Sequence, residues 1–94
     1  MDGLKFDKDK PRWDLLPLDA VEEVVKIMTF GAKKYGENNW QKLDNFNGRY
    51  YAAMMRHISA WRAGESIDDE SGLTHLSHAM CCLTFMVWKE KQYD

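Results

Sequence analysis

A chain of 94 residues, 45% of them apolar and 30% charged, has the length and composition of a single globular domain. Its formal charge of −2 excludes a protein whose main task is coating duplex nucleic acid, so any phosphate contact has to be local. The opening MDGLKFDKDKPRWD is polar, and no apolar run is long enough to span a bilayer.

These features predict a cytoplasmic protein with no membrane partner. A helical chain this small buries only about 60–65% of its unfolded surface, so it is expected to complete its core as a homo-oligomer. Cys81 and Cys82 are adjacent. Neighbouring helical residues point in different directions, which makes a disulfide between them poor geometry and predicts reduced core thiols.

Residues 1–16 show no period, and Pro11 and Pro17 bracket an irregular arm whose Phe6, Trp13, Leu15 and Leu16 are expected to lie over a core. The first helix is expected over about 19–35, with Asp19 and Glu22 as a reciprocal capping pair and Gly36 as its stop. Val21, Val24, Val25, Met28, Ala32 and Tyr35 share one face of it. The Gly- and Asn-rich GENNWQKLDNFNG then reads as a long loop, of the kind that is often functional.

A second helix is expected over about 48–63, burying Tyr51, Met54, Met55, Ile58 and Trp61. Its other face carries Arg49 and Arg56 among Ala52, Ala53, Ala60 and Ala63. That pattern is either a close helix contact with surface arginines or a floor for a flat anionic ligand. A third helix is expected over about 70–91, with Leu73, Leu76, Met80, Leu83 and Val87 as its core stripe. His75, His78, Cys82 and Phe85 fall on the far side, which is expected to meet another subunit or enclose a ligand. The fold class is therefore all-α, a small three-helix bundle with an irregular N-terminal arm.

His75 and His78 lie three apart on a helix and can reach one object, a metal or a packed interface. Glu65, Asp68, Asp69 and Glu70 crowd the approach to the same helix, more carboxylates than capping needs. They are either a solvated loop or a site for a hard cation such as Mg2+ or Mn2+. His57 is either a core histidine or the third member of the histidine set. Lys33, Lys34, Tyr35, Asn39 and Trp40 offer cations, rings and amides of the kind a nucleotide pocket uses, although lysines also suit a helix C-terminus on electrostatic grounds.

Three blocks in order, KFDKDKPRWDLLPLDAVEEVVKIMTFGAKKYGENNW, RYYAAMMRHISAWRAGE and DDESGLTHLSHAMCC, resemble the phage family described as the N-terminal region of dATP/dGTP diphosphohydrolases, the MazZ-like proteins related to MazG-type enzymes. The resemblance spans nearly the whole chain. It implies one helical domain, residues 1–94, that converts purine deoxynucleoside triphosphates to monophosphate and pyrophosphate with Mg2+ or Mn2+. It implies Asp69, Glu70 and His75 as catalytic candidates, and Glu65, Asp68, Asp69, Glu70 and His78 as metal candidates. The nucleotide would fall to Lys33, Lys34, Tyr35, Asn39, Trp40, Arg49, Arg56 and His57. MazG-type sites pair a Glu-x-x-Glu helix with a Glu-x-x-Asp helix, whereas here the first helix reads Glu22, Glu23, Val25, Lys26, and the sole Glu-x-x-Asp is Glu65 to Asp68. A non-catalytic oligomer that sequesters a nucleotide or nucleotide-derived signal, in the manner of an anti-defence sponge, is the alternative. A purely structural protein is the third reading.

Overall fold

A computed structural model describes residues 3–92 of the chain as an arm followed by three helices: α1 (Leu18–Tyr35), α2 (Phe46–Arg62) and α3 (His75–Glu90). Short 3-10 turns, Trp13–Leu15 and Asn39–Lys42, interrupt the arm and the first loop. The all-α bundle expected from periodicity is what forms. Helices α2 and α3 run antiparallel, with Phe46 at the start of α2 beside Trp88 at the end of α3, and α1 packs against α3.

The helix ends follow local chemistry, with two departures from expectation. Pro17 takes the cap position of α1, and its carbonyl accepts from Ala20 and Val21. The helix thus starts one residue early, which puts Asp19 inside the first turn, where it contacts the Ala20 N–H and no Asp19–Glu22 capping pair forms. Gly36, at φ +98°, closes α1 by donating to the Ala32 carbonyl. At the end of α2, Gly64 donates to Trp61 and Glu65 to Ala60, the paired bonds of a Schellman stop, with Gly64 at φ +100°.

Helix α3 starts later than expected, at His75 and not near residue 70. The preceding residues are held in a bridged turn instead: Ile67 pairs with Thr74, Asp68 donates to the Leu73 carbonyl, and His75 donates to the Ser66 carbonyl. Thr74 is the cap, its Oγ1 accepting from the Ser77 N–H at 3.1 Å. The acidic run therefore lies in the turn before α3 and not in its first helical turn.

The larger departure concerns which faces are buried. Val24 and Ile27 of α1, Phe46 of α2, and Cys81 and Phe85 of α3 form the core, with Trp40, Leu43, Tyr50 and Trp88 packed around it. Trp40 stacks on Phe85 with ring centroids 4.0 Å apart, and Tyr50 meets Phe46 and Phe85 edge-on. In α3 the side expected to meet another subunit or enclose a ligand is the one buried within the chain: Phe85 is 9% exposed, while of the expected core stripe Leu73 and Met80 pack against the core and Leu83 is 50% exposed. Leu76 and Val87 are exposed with it, as are Tyr51, Met55 and Trp61 of α2 and Val25 and Tyr35 of α1.

Aromatic side chains bury roughly 150–250 Å2 each. Clustering Trp40, Phe46, Tyr50, Phe85 and Trp88 therefore outweighs burying an aliphatic stripe on a helix that is apolar nearly all round. The arm departs too, since Phe6, Trp13, Leu15 and Leu16 are exposed and cover no core. Both cysteines are buried and unpaired, and burial pushes their thiols up, Cys81 to about 12 and Cys82 to about 11.

Candidate functional site

A cleft of about 720 Å3 opens between the C-terminal half of α1, the loop after it, and the inner faces of α2 and α3. Its floor is apolar, built on Ile27, Leu43, Tyr50 and Phe85, and its rim is polar. The Schellman stop of α2 and the bridged turn after it fold Glu70 back over this opening. Arg49 and Arg56, two turns apart on α2, line it together with His57 one position on.

The sequence candidates divide accordingly. Tyr35, Asn39, Trp40, Arg49, Arg56, His57, Glu70 and His78 line the cleft. Lys33, Lys34, Glu65, Asp68, Asp69 and His75 are not on its wall. Lys34 is tied to the cleft indirectly, because its Nζ stands 2.7 Å from Glu70 Oε2 and lies over the Tyr35 ring at 5.0 Å. That ion pair, which raises the lysine's pKa, connects the end of α1 to the turn before α3. Trp40 has one ring face occupied by Phe85 and its carbonyl by the Tyr50 hydroxyl, so it serves the cleft as wall. Lys33 and Asp69 are exposed and take no part in the hydrogen bonds and ion pairs that build the site.

All three histidines of the chain meet beside the cleft, which His57 and His78 line and His75 does not. His57 stacks on His78 with centroids 4.5 Å apart and planes 9° from parallel. His57 Nδ1 and His75 Nδ1 are 2.8 Å apart, a distance that requires one of them to be an unprotonated acceptor. Ligand atoms of His57, Asp68 and His75 all lie within 4.8 Å of one another. On the far side of its ring, His75 Nε2 is buried with no hydrogen-bond partner and faces Glu65 Oε2 at 3.5 Å.

Asp68 is fixed by the turn it sits in, its Oδ2 accepting from the Ser71 N–H and sharing the Ser71 hydroxyl, both at 3.0 Å. Ser71 Oγ also lies 2.7 Å from His78 Nε2 and accepts from the Leu73 N–H. One hydroxyl proton serves this junction, and all contacts are satisfied when His78 donates from Nε2 to Ser71 and Ser71 donates to Asp68. Burial, with His78 and His75 close by, lowers the His57 pKa despite Asp68; burial and His75 lower that of His78. For Asp68 burial acts upward, but the two bonds from Ser71 and the neighbouring imidazoles hold its carboxyl below the usual range.

Sequence reasoning missed Ser71, Tyr50 and Ile67. The third helix was expected from about residue 70, and nothing in DDESG says that the Ser71 hydroxyl joins Asp68 to His78.

The described residues thus form an all-α fold with a polar-rimmed cleft and a histidine–carboxylate cluster beside it. The family model for dATP/dGTP diphosphohydrolase, N-terminal, matches residues 1–94, and the chain belongs to that family. It is similar to a dATP/dGTP diphosphohydrolase of Salmonella phage PMBT28, at 38% identity over 88 residues covering 94% of this chain. The chain spans 30% of that relative's length. No solved structure matches it. Among the described residues, no helix is long and apolar enough to cross a membrane.

Proposed function

We propose that this domain binds dATP or dGTP in the cleft and hydrolyses it to the monophosphate and pyrophosphate, as a phage protein acting in the host cytoplasm. The observation that carries the reading is the convergence of Arg49, Arg56, Glu70 and His78 on one cleft of about 720 Å3 with an apolar floor. That size is within the roughly 300–1,000 Å3 typical of small-molecule sites. The substrate class comes from the family description and the phage relative's name.

Two guanidinium groups that stay charged at any physiological pH offset the triphosphate and fix its direction through forked hydrogen bonds. Tyr35 offers a ring face for the base, and the Asn39 amide offers donors and an acceptor for its edge. Water adds to the α-phosphorus while the bond to the α–β bridging oxygen breaks, and pyrophosphate leaves with that electron pair. Glu70, held by Lys34, is one of the two carboxylates lining the cleft, with Glu37, and takes the role of orienting this water and accepting its proton.

The resemblance implies a divalent cation, Mg2+ or Mn2+; the donors gathered here, His57, His75 and Asp68, fit a divalent cation, but two imidazoles and one carboxylate are not the oxygen set that Mg2+ prefers. When bound there, a cation would neutralise phosphate charge and acidify a water. The domain is further proposed to work as a homo-oligomer through the exposed apolar side chains of α2 and α3.

Incubating the protein with dGTP and Mn2+ and measuring pyrophosphate is the direct test. Glu70→Gln should lower turnover about 100-fold or more with little loss of binding, and Arg56→Ala should weaken binding about tenfold by calorimetry. Tight nucleotide binding with no turnover in the unaltered protein would replace hydrolysis by sequestration. Neither binding nor turnover with any purine nucleotide would end both readings.

A further inference from the structure

The carboxylates that sequence put forward for a hard cation are scattered. Asp69 is exposed, Glu70 is paired with Lys34, and Glu65 reaches only the outer edge of His75. What the fold gathers is a different donor set: two imidazoles and one carboxylate, with ligand atoms within 4.8 Å of one another, contributed by α2, the bridged turn and α3.

We propose that His57, His75 and Asp68 form a binding site for a nitrogen-preferring divalent transition metal, Zn2+ being the first candidate, in place of an Mg2+ site built from the acidic run. Imidazole suits zinc and its neighbours, whereas Mg2+ demands oxygen ligands and keeps several waters. Three protein ligands with an open fourth position make a catalytic type of zinc centre rather than a closed structural one.

The surrounding contacts are those that a ligating histidine needs. A metal-bound imidazole nearly always gives its other N–H to a carboxylate or carbonyl. His75 Nε2 is buried, lacks a partner, and has Glu65 Oε2 at 3.5 Å as the one carboxylate near it. Asp68 is oriented in advance, because both of its side-chain hydrogen bonds, from Ser71 N–H and Oγ, go to Oδ2. The close Nδ1···Nδ1 approach of His57 and His75, 2.8 Å, is that of a pair sharing a proton. Two nitrogens on one tetrahedral zinc stand about 3.3–3.4 Å apart, so a metal replaces that proton with a small opening of the pair. His57 also lines the cleft, so the open position adjoins it. That this position serves nucleotide phosphates rests on the function proposed above. The metal site itself does not.

The test is made without nucleotide. The protein, stripped with a chelator, is titrated with Zn2+ and separately with Mg2+ by calorimetry and thermal melting, and the Co2+-substituted protein is read by its ligand-field absorption, which reports nitrogen ligation with no substitution at all. Because His75 is buried, the variants are Asp68→Asn and His57→Gln, which preserve size. One Zn2+ per chain, a raised melting temperature with Zn2+ but not Mg2+, and at least a tenfold weaker Zn2+ affinity in both variants are expected. Equal stabilisation by Mg2+, Zn2+ binding untouched by both variants, or a Co2+ spectrum of all-oxygen type would each overturn the proposal. Zn2+ binding as expected in a protein that neither binds nor hydrolyses dGTP would leave the metal site standing and remove the nucleotide reading.

Discussion

The stacked rings of His57 and His78, with His75 against them and Asp68 below, tie folding to pH. Burial holds both stacked imidazoles below their ordinary value of 6.5. The unfolded chain, with ordinary histidines, takes up protons as the pH falls past 6.5 while the folded chain does not, so stability is full above that value and is lost below it. Asp68, held below 3.8, is shifted in the same direction, so its contribution is likewise lost on acidification, but only as the pH falls from 3.8 through its folded value. The melting temperature is therefore expected to be level above about pH 7 and to fall between about pH 6.5 and 5, with His78→Gln flattening that fall. A melting temperature that rises on acidification through this range would contradict it. The presence of three histidines and a carboxylate was legible from residue types. Their joining through Ser71 was not, because a hydroxyl bridging a turn and a helix has no periodicity to betray it.

Among the elements, the bridged turn between α2 and α3 has the most influence on the site. It sets Asp68 and Glu70 on one side and delivers His75 as the first residue of α3. Thr74 caps that helix by accepting from Ser77, whose own hydroxyl lies 2.6 Å from Thr74 Oγ1. Thr74→Ala removes the cap and should cost about 1 kcal/mol, a fall in melting temperature of roughly 4–8 °C for a chain of this size. Thr74→Ser should recover most of it. No change on Thr74→Ala would mean that the Ile67–Thr74 bridge, not the cap, starts the helix. The end of α1 and the stop of α2 were readable because Gly36 and Gly64 sit where left-handed backbone is needed. The start of α3 was not, since a turn closed by backbone bonds between residues 66–68 and 73–75 leaves no mark in local composition.

At the scale of the whole molecule, the aliphatic residues displaced from the core carry a consequence. Leu76, Leu83 and Val87 of α3 and Tyr51, Met55 and Trp61 of α2 are exposed together with the arm's Phe6, Trp13 and Leu15. Burying one such side chain contributes about 1.5–3 kcal/mol, so a surface of this kind favours self-association. Light scattering on the eluting protein should find a dimer or larger assembly, and Leu83→Glu should weaken it about tenfold or more while leaving the helical signal unchanged. A monomer at high concentration in the unaltered protein would remove the oligomer from the proposed function.

The amino-acid sequence by itself determined how many helices there are, nearly where two of them end, and which residues are chemically able to bind an anion or a metal. Those properties reside in local backbone preference, glycine punctuation and side-chain type, and they need no partner from elsewhere in the chain. Only the tertiary structure decided which way each helix faces. The α3 helix is apolar on both sides, so its own pattern cannot choose between Leu83 and Phe85, and the choice falls to the aromatic rings of Trp40, Phe46 and Tyr50, brought from elsewhere in the chain. That same rotation turns His75 and His78 inward onto His57, and so creates the cluster beside the cleft.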